Sequence, residues 1–302
     1  EVLAGFALLQ GMMGGAYTPT RLSLITKLVP RELFASATGY LAVAFNLSRF
    51  AGPALAGLII NFFGVAWSFG LFSCLVVPAI VSLYVVEPLE STTRERGDSH
   101  ILSDLRDGLS YAATHPMIRW LLILVGTNGI LARGLLELLP AVTELVFRGG
   151  SAEFAALTSA AGAGAVAASV VVTRTQDPSR LLRMAPLAAL ASSGLLFVLG
   201  MTESYWVGLA VVAGLGGFCT LCGISVQALL QLEVDDEFRG RVLGLWGVFA
   251  IGATAMGGFL MGGVARASSV SATAIGSAAL LSVLALFLGS TLIRSERERQ
   301  SV

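Results

Sequence analysis

Nine runs of about 20 mostly apolar residues decide what this chain can fold into. They lie at approximately 1–20, 34–62, 65–86, 118–140, 152–173, 184–202, 204–231, 241–265 and 268–293. A helix crossing the hydrocarbon core of a bilayer needs about 20 such residues. Lipid offers no partner to backbone N–H and C=O groups, so a run of this kind satisfies them internally, as a helix. Apolar residues make up 55% of the chain and charged residues 13%, with a mean hydropathy of +0.81. That leaves too little polar surface to cover a soluble fold of 302 residues. The expected class is an all-α membrane protein with about nine transmembrane helices.

The charges between these runs alternate. Arg21, Lys27 and Arg31 follow the first span, and Arg94, Arg96, Arg106 and Arg119 follow the third. Arg174, Arg180 and Arg183 follow the fifth, Arg239 and Arg241 the seventh, and Arg294, Arg297 and Arg299 the last. That is 15 basic residues on one side, against Arg148 and Arg266 on the other. Basic loops stay cytoplasmic, so the C-terminus is expected inside, in a multi-pass protein of the cell (inner or plasma) membrane.

Other classes fall away. The balance of 19 basic and 19 acidic residues gives no basic stripe for nucleic acid. Cys219 and Cys222 sit inside an apolar run, where thiols pack as small groups, and His100 and His115 share one polar loop. No metal cluster or catalytic triad can be assembled from this inventory, and no phosphate-binding G-x-x-x-x-G-K-[ST] occurs. No enzyme activity and no cofactor are expected.

An internal echo divides the chain. At a constant offset of 205, Val29 falls on Val234, Glu32 on Glu237, Gly39 on Gly244 and Val43 on Val248. Gly52 then falls on Gly257, Leu55 on Leu260 and Gly57 on Gly262. Repetition fixes architecture, here two related halves of six spans. Residues 1–86 are then the last three helices of an N-terminal bundle and 117–302 a six-helix C-terminal bundle. Residues 87–116 form a cytoplasmic linker. The chain is expected to be a fragment lacking three N-terminal spans, with nine helices of a full twelve. In the linker, Leu102, Leu105, Leu109 and Ala112 recur at helical spacing among Asp104, Arg106 and Asp107. They describe an amphipathic helix lying on the membrane or packed under the bundle.

Polar residues within the spans are the candidate site. Arg49 lies roughly 20 Å from the cytoplasmic end of its span, where a guanidinium costs at least about 2.5–3.5 kcal/mol. It faces a cavity or partner, or it snorkels to an interface. Arg133 and Glu137, four apart on one helix, are able to pair, either as cavity-lining groups or as an ion pair at the membrane boundary before Pro140. Asn46, Asn128 and Gln227 line the same cavity or bond neighbouring helices. Gly52, Pro53 and Gly57 allow close helix approach and a bend; Gly257 and Gly262 repeat the spacing without the proline. The turn Asp235, Asp236, Glu237, Arg239, Gly240 and Arg241 caps a helix or forms an ion-pair latch between helix ends.

With these residues in view, the chain resembles the major facilitator superfamily. The carriers are V-P-R-E-L (29–33), N-x-x-R-x-x-G-P-x-x-x-G (46–57) and D-D-E-F-R-G-R-V (235–242). D-L-R-D-G-L-S-Y (104–111) and R-G-L-L-E-L-L-P (133–140) resemble the bacterial drug and siderophore exporters, the group of enterobactin exporters and macrolide efflux proteins. The resemblance implies a two-bundle, twelve-helix transporter with a central cavity and alternating access. It implies an antiport motif at Gly52, Pro53 and Gly57 and a cytoplasmic gate turn at Arg239 to Arg241. It further implies proton-coupled export of a small amphipathic molecule by a monomer in the lipid bilayer. The rival is a sensor or scaffold that keeps the fold without transport.

The charge asymmetry has a direct test. A cysteine introduced at Ser91 is expected to be shielded from impermeant thiol reagents outside intact cells, and one at Ser151 to be labelled. The reverse pattern would invert the topology.

Overall fold

A chain whose spans must bond their own backbones leaves little choice of secondary structure, and every regular element found is helical. The computed structural model describes residues 44, 47–48, 51–52, 55–60, 62–85, 101–175, 177–235 and 238–300. Residues 55–60 and 62–63 are helical. Gly64 ends that segment in the left-handed region, at φ 86°, and its N–H returns to the Ile60 carbonyl at 3.0 Å. A side chain would be strained there, which is the usual reason for glycine past a helix end.

The elements then follow in order. Helix α1 is Val65–Val85 and α2 is Ile101–Thr114. His115 turns extended, and Pro116 opens the next helix at a position where its missing N–H costs nothing. That helix, α3, is the span Pro116–Val146. Helix α4 is Ser151–Thr173, with Glu153 Oε2 accepting the Gly150 N–H at 2.7 Å. Helix α5 is Pro178–Met201, capped by Asp177, whose carboxylate accepts the Ser179 N–H. Helix α6 is Tyr205–Glu233. Helix α7 comprises Arg239–Gly247, a π turn at Val248–Gly252 and Ala253–Ala267. Helix α8 is Val270–Gln300.

Seven of the described helices are long and apolar enough to cross a membrane. They correspond to the third through ninth expected spans. The first span, and most of the second, lie outside the described residues. Three boundaries differ most from the sequence expectation; one is the end of α8, which runs on to Gln300 instead of stopping at 293. Helix α3 runs to Val146 instead of stopping at 140, because Pro140 sits in the first turn of a restarted helical segment, Leu139–Ala141. Helix α5 starts at Pro178 and not 184, because the Asp177 cap and Pro178 fix a start ahead of Arg180 and Arg183.

The chain divides into two compact units, Glu1–Phe45 with Val65–Gly97, and Asn46–Gly64 with Asp98–Val302. The first contains α1. In the second, α3 to α8 bury two apolar clusters. One gathers Leu121 and Leu124 of α3, Leu182 of α5, Leu230 of α6 and Leu288 of α8; the other gathers Leu135, Leu157, Leu196, Leu215 and Leu281. Outward-facing residues are apolar as well, among them Trp206, Val283 and Leu286, as a lipid-bathed surface requires.

Between helices the contacts run through small residues. A Cβ on Gly164 of α4 would strike the Ala213 carbonyl of α6, and one on Gly216 would strike the Ala161 backbone. Helices α5 and α8 close over Gly200 and Gly289, with Ser282 Oγ donating to Ser193 Oγ at 2.8 Å. Helices α3 and α7 meet at Gly134, where a Cβ would lie 2.6 Å from the Gly257 carbonyl carbon. In lipid, burying apolar side chains gives no advantage over leaving them in the acyl chains, so close backbone packing has to hold the bundle.

Helix α2 docks beneath the turn between α6 and α7. Gly108 and Ala112 are buried and Leu109 is exposed, so the docking face is rotated from the leucine face expected from the sequence. The reason is Tyr111. Its hydroxyl donates to Asp235 Oδ2 at 2.8 Å and accepts the Asp235 N–H at 3.4 Å. The Tyr111 ring stacks on His115 at 4.0 Å and on Phe238 at 4.4 Å. The Arg241 guanidinium lies over Phe238 at 5.5 Å. Burial, then the hydrogen bond to Asp235, pushes the Tyr111 phenol above its ordinary value of 10.0. The proton is therefore held through neutral pH, and the contact dissolves only as pH climbs through the raised value.

Two outcomes follow from this packing. Gly257→Ala is expected to destabilise the purified protein by about 1–3 kcal/mol, whereas Gly263→Ala, facing open space on the same helix, leaves it unchanged or gains up to ~1 kcal/mol. Thermal unfolding in detergent distinguishes them, and equal melting temperatures would count against the seam. Tyr111→Phe is expected to speed amide hydrogen exchange in α2 about two- to tenfold by removing the hydroxyl's hydrogen bonds with Asp235. Unchanged exchange would mean the stacking alone holds the helix.

Candidate functional site

The site is made by irregular backbone in α3. Residues Gly129–Arg133 form a π turn, closed by the Gly134 N–H to the Gly129 carbonyl. The next residues tighten: the Glu137 N–H bonds Gly134 at 3.3 Å and the Leu138 N–H bonds Leu135 at 3.0 Å. An i, i+4 charge pair presupposes a continuous α-helix, and here a wide turn runs directly into a narrow one. Arg133 and Glu137 accordingly form no ion pair. Arg133 Nη2 instead donates to Thr220 Oγ1 of α6 at 3.1 Å. Thr220 is buried, Arg133 half-buried and Glu137 exposed.

Both charges line one open cleft of about 510 Å³ between α3 and α7. Helix α7 contributes Ala250, Ile251, Thr254 and Phe259. Ala250 and Ile251 belong to the π turn Val248–Gly252, so two π turns border the same space. They face one another closely, since a Cβ on Gly129 would lie 3.0 Å from Ala253 Cβ and 3.4 Å from the Phe249 carbonyl oxygen. Thr254 Oγ1 donates to the Ala250 carbonyl at 2.7 Å, satisfying an acceptor within the irregular turn. Gly258 leaves room for the Glu137 stem, whose Cβ lies 3.0 Å from where a Gly258 side chain would begin. Single π turns inside α-helices occur frequently at functional sites.

Depth adds to the argument. Arg133 lies just past the middle of a 31-residue span, because α3 continues beyond Pro140. A mid-span guanidinium costs at least about 2.5–3.5 kcal/mol on insertion scales, and one hydrogen bond to a hydroxyl offsets only part of that. A second cavity of about 250 Å³ lies among helix ends at Met117, Pro178, Glu233 and Glu296, where Ser179 Oγ donates to Glu296 Oε1 at 3.0 Å. It contains no mid-span charge, so the α3–α7 cleft is the stronger candidate.

The remaining expected residues are scattered. Asn128 is buried with its Nδ2 unpaired, and Gln227 is half-buried on α6; neither is among the residues lining the cleft. Asn46, Arg49 and Pro53 lie outside the described residues. Gly57 is tight against Ala155, whereas nothing lies within 4 Å of a Cβ on Gly52. Of the paired glycines in α7, Gly257 is pressed on the Ile130 backbone, whereas a Cβ on Gly262 would make only an ordinary 3.7 Å contact with Leu138. In the gate turn, Asp236 and Glu237 lie outside the described residues and Gly240 faces open space. Arg239 opens α7. Asp235 bonds Tyr111 and the Arg241 guanidinium lies over Phe238; the expected ion-pair latch involves Asp236 and Glu237, outside the described residues. Among the described residues no group of three or more His, Cys, Asp or Glu is placed to hold a metal.

Sequence reasoning missed Thr220, Thr254 and Tyr111. Thr220 sits 87 residues from Arg133, inside an apolar run where one threonine looks like filler. Tyr111 carried a weak signal as the aromatic residue one turn before the end of an amphipathic helix.

Comparison with known proteins bears on the family and the fold. The family described as transmembrane secretion effector matches residues 1–301. Enterobactin exporters of Shigella boydii serotype 18 and Escherichia coli O127:H6 are each 23% identical over 222 residues, 72% of this chain and 52% of theirs. The chain therefore spans about half the length of the curated relatives it matches. In fold, it is similar to a bacterial homologue of the human lysosomal transporter Spinster, solved in an inward-facing, unoccupied conformation. The TM-score is 0.54 at 15% identity, over 93% of this chain and 74% of that one. With seven membrane-length helices and a family match along nearly its whole length, the chain belongs to the transmembrane secretion effector family of the major facilitator superfamily, whose members are membrane transporters and not enzymes.

Proposed function

We propose that this chain serves in a secondary active exporter that moves a small amphipathic molecule out of the cell, with protons as the coupling ion. The observation that carries the reading is the cleft between α3 and α7. It places an arginine and a glutamate without a mutual ion pair at mid-span, beside two facing π turns. Such charges inside a membrane segment are retained for substrate or ion pathways. The relatives named as enterobactin exporters support outward transport of a small molecule. In this reading, residues 1–86 and 117–302 belong to two bundles joined by the linker 87–116, the C-terminus is cytoplasmic, and the transporter works as a monomer.

Each part of the cleft then has a task. Glu137, exposed on the cleft wall, takes up a proton and loses its charge, which changes the cost of closing apolar α7 over it. The Gly134–Gly257 contact is the fulcrum, since backbone against backbone lets one helix rock on the other without displacing side chains. Irregular turns on both sides of the fulcrum absorb the change in helix direction. The Tyr111–Asp235 contact ties the linker helix to the end of α7, so linker and gate move together.

The test is efflux of a panel of dyes, antibiotics and siderophores from cells carrying the full-length gene, with and without an uncoupler. Uncoupler-sensitive efflux is expected, and Glu137→Gln is expected to lose most of it at unchanged membrane abundance. Full activity of Glu137→Gln at every pH would remove proton coupling from this residue. A full-length product that moves no compound of the panel would favour a sensor or scaffold.

A further inference from the structure

Arg133 offers more than a charge. Its planar guanidinium has five donors in a fixed fork, and the hydrogen bond to Thr220 Oγ1 at 3.1 Å engages one edge from the α6 side. The other side borders the cleft. Among the described residues no carboxylate pairs with it within 4.0 Å, Glu137 included. The opposite wall is apolar, formed by Ala250, Ile251 and Phe259. Thr254, the wall's hydroxyl, already donates to the Ala250 carbonyl. Glu137 borders the same space with its stem held against Gly258. The site is thus an oriented, uncompensated guanidinium facing an apolar shelf, with one carboxylate a helical turn away.

We infer that Arg133 is the charge-recognising residue of this transporter, and that the substrate class is an amphipathic acid bearing a single carboxylate. The inference rests on the reading of the cleft as the substrate path. The carboxylate takes the free edge of the fork, a geometry that guanidinium matches with two parallel hydrogen bonds. The apolar body lies on Ala250, Ile251 and Phe259. Glu137 limits the ligand to one anionic group, because a second carboxylate would stand against its own. Thr220 is a positioning residue, holding the fork so that little side-chain freedom is lost on binding.

The experiment is equilibrium binding of dansylglycine and of its uncharged methyl ester to the full-length protein in lipid nanodiscs, with empty nanodiscs subtracted. The acid is expected to bind more tightly than the ester by about tenfold or more, the scale of a charge-assisted hydrogen bond. Arg133→Gln is expected to equalise the two ligands. Arg133→Lys, which keeps the charge without the fork and guards against a merely misfolded variant, retains part of the preference. An ester that binds as well as the acid, an acid that does not bind, or a preference that survives in Arg133→Gln would each overturn the assignment. Efflux scored separately in the same variants keeps the two readings apart. A protein that pumps without acid preference ends this inference and leaves transport standing. One that binds the acid through Arg133 but moves nothing upholds the inference and ends the transport reading.

Discussion

Close backbone contact between helices is the interaction on which the rest of this structure depends. Apolar side chains are as comfortable in lipid as against one another, so a membrane bundle cannot be held by burial alone. At three crossings here the contact is made where a side chain is missing: Gly164 and Gly216 between α4 and α6, Gly200 and Gly289 between α5 and α8, and Gly134 and Gly257 between α3 and α7. The first two crossings are additionally hemmed by buried leucines, and Ser193 and Ser282 join the second. The third borders the open cleft.

That difference sets the α3–α7 crossing apart. Its close contact is flanked by π turns in both helices, by the proline restart at Leu139–Ala141 and by the two mid-span charges. Irregular turns forgo some helical hydrogen bonding, and in an apolar medium that loss is expensive unless a partner is found. Thr254 supplies one such partner at Ala250, and Thr143 another at Leu139. A segment that carries irregular turns at mid-membrane and compensates them with hydroxyls is built differently from the regular helices α4, α5, α6 and α8 beside it.

The contact between α2 and the turn ahead of α7 works by different physics. Outside the hydrocarbon core, water competes for every ion pair, and exposed pairs contribute little. An aromatic ring stacked on two others, with its hydroxyl shared by a carboxylate and a backbone N–H, is less easily exchanged for water. Tyr111 provides that arrangement.

Much of this was legible in the sequence. Span length and charge alternation are local properties, and the helices expected from them lie close to those observed at α4 and α6. The Arg133 and Glu137 positions were visible as charges in an apolar run, and the small-residue positions as glycines. What the sequence could not supply was rotation about each helix axis. That rotation is set by the neighbouring helix, and it decides which glycine is crossed and which faces open space, as with Gly57 against Gly52 or Gly257 against Gly263. It also sends Arg133 to Thr220, 87 residues away, when the nearest carboxylate in sequence is four residues along. Helix formation is dictated by the chain's own backbone in lipid, so one dimension suffices to read it. The site arises where two helices deform against one another, and only the tertiary structure contains both.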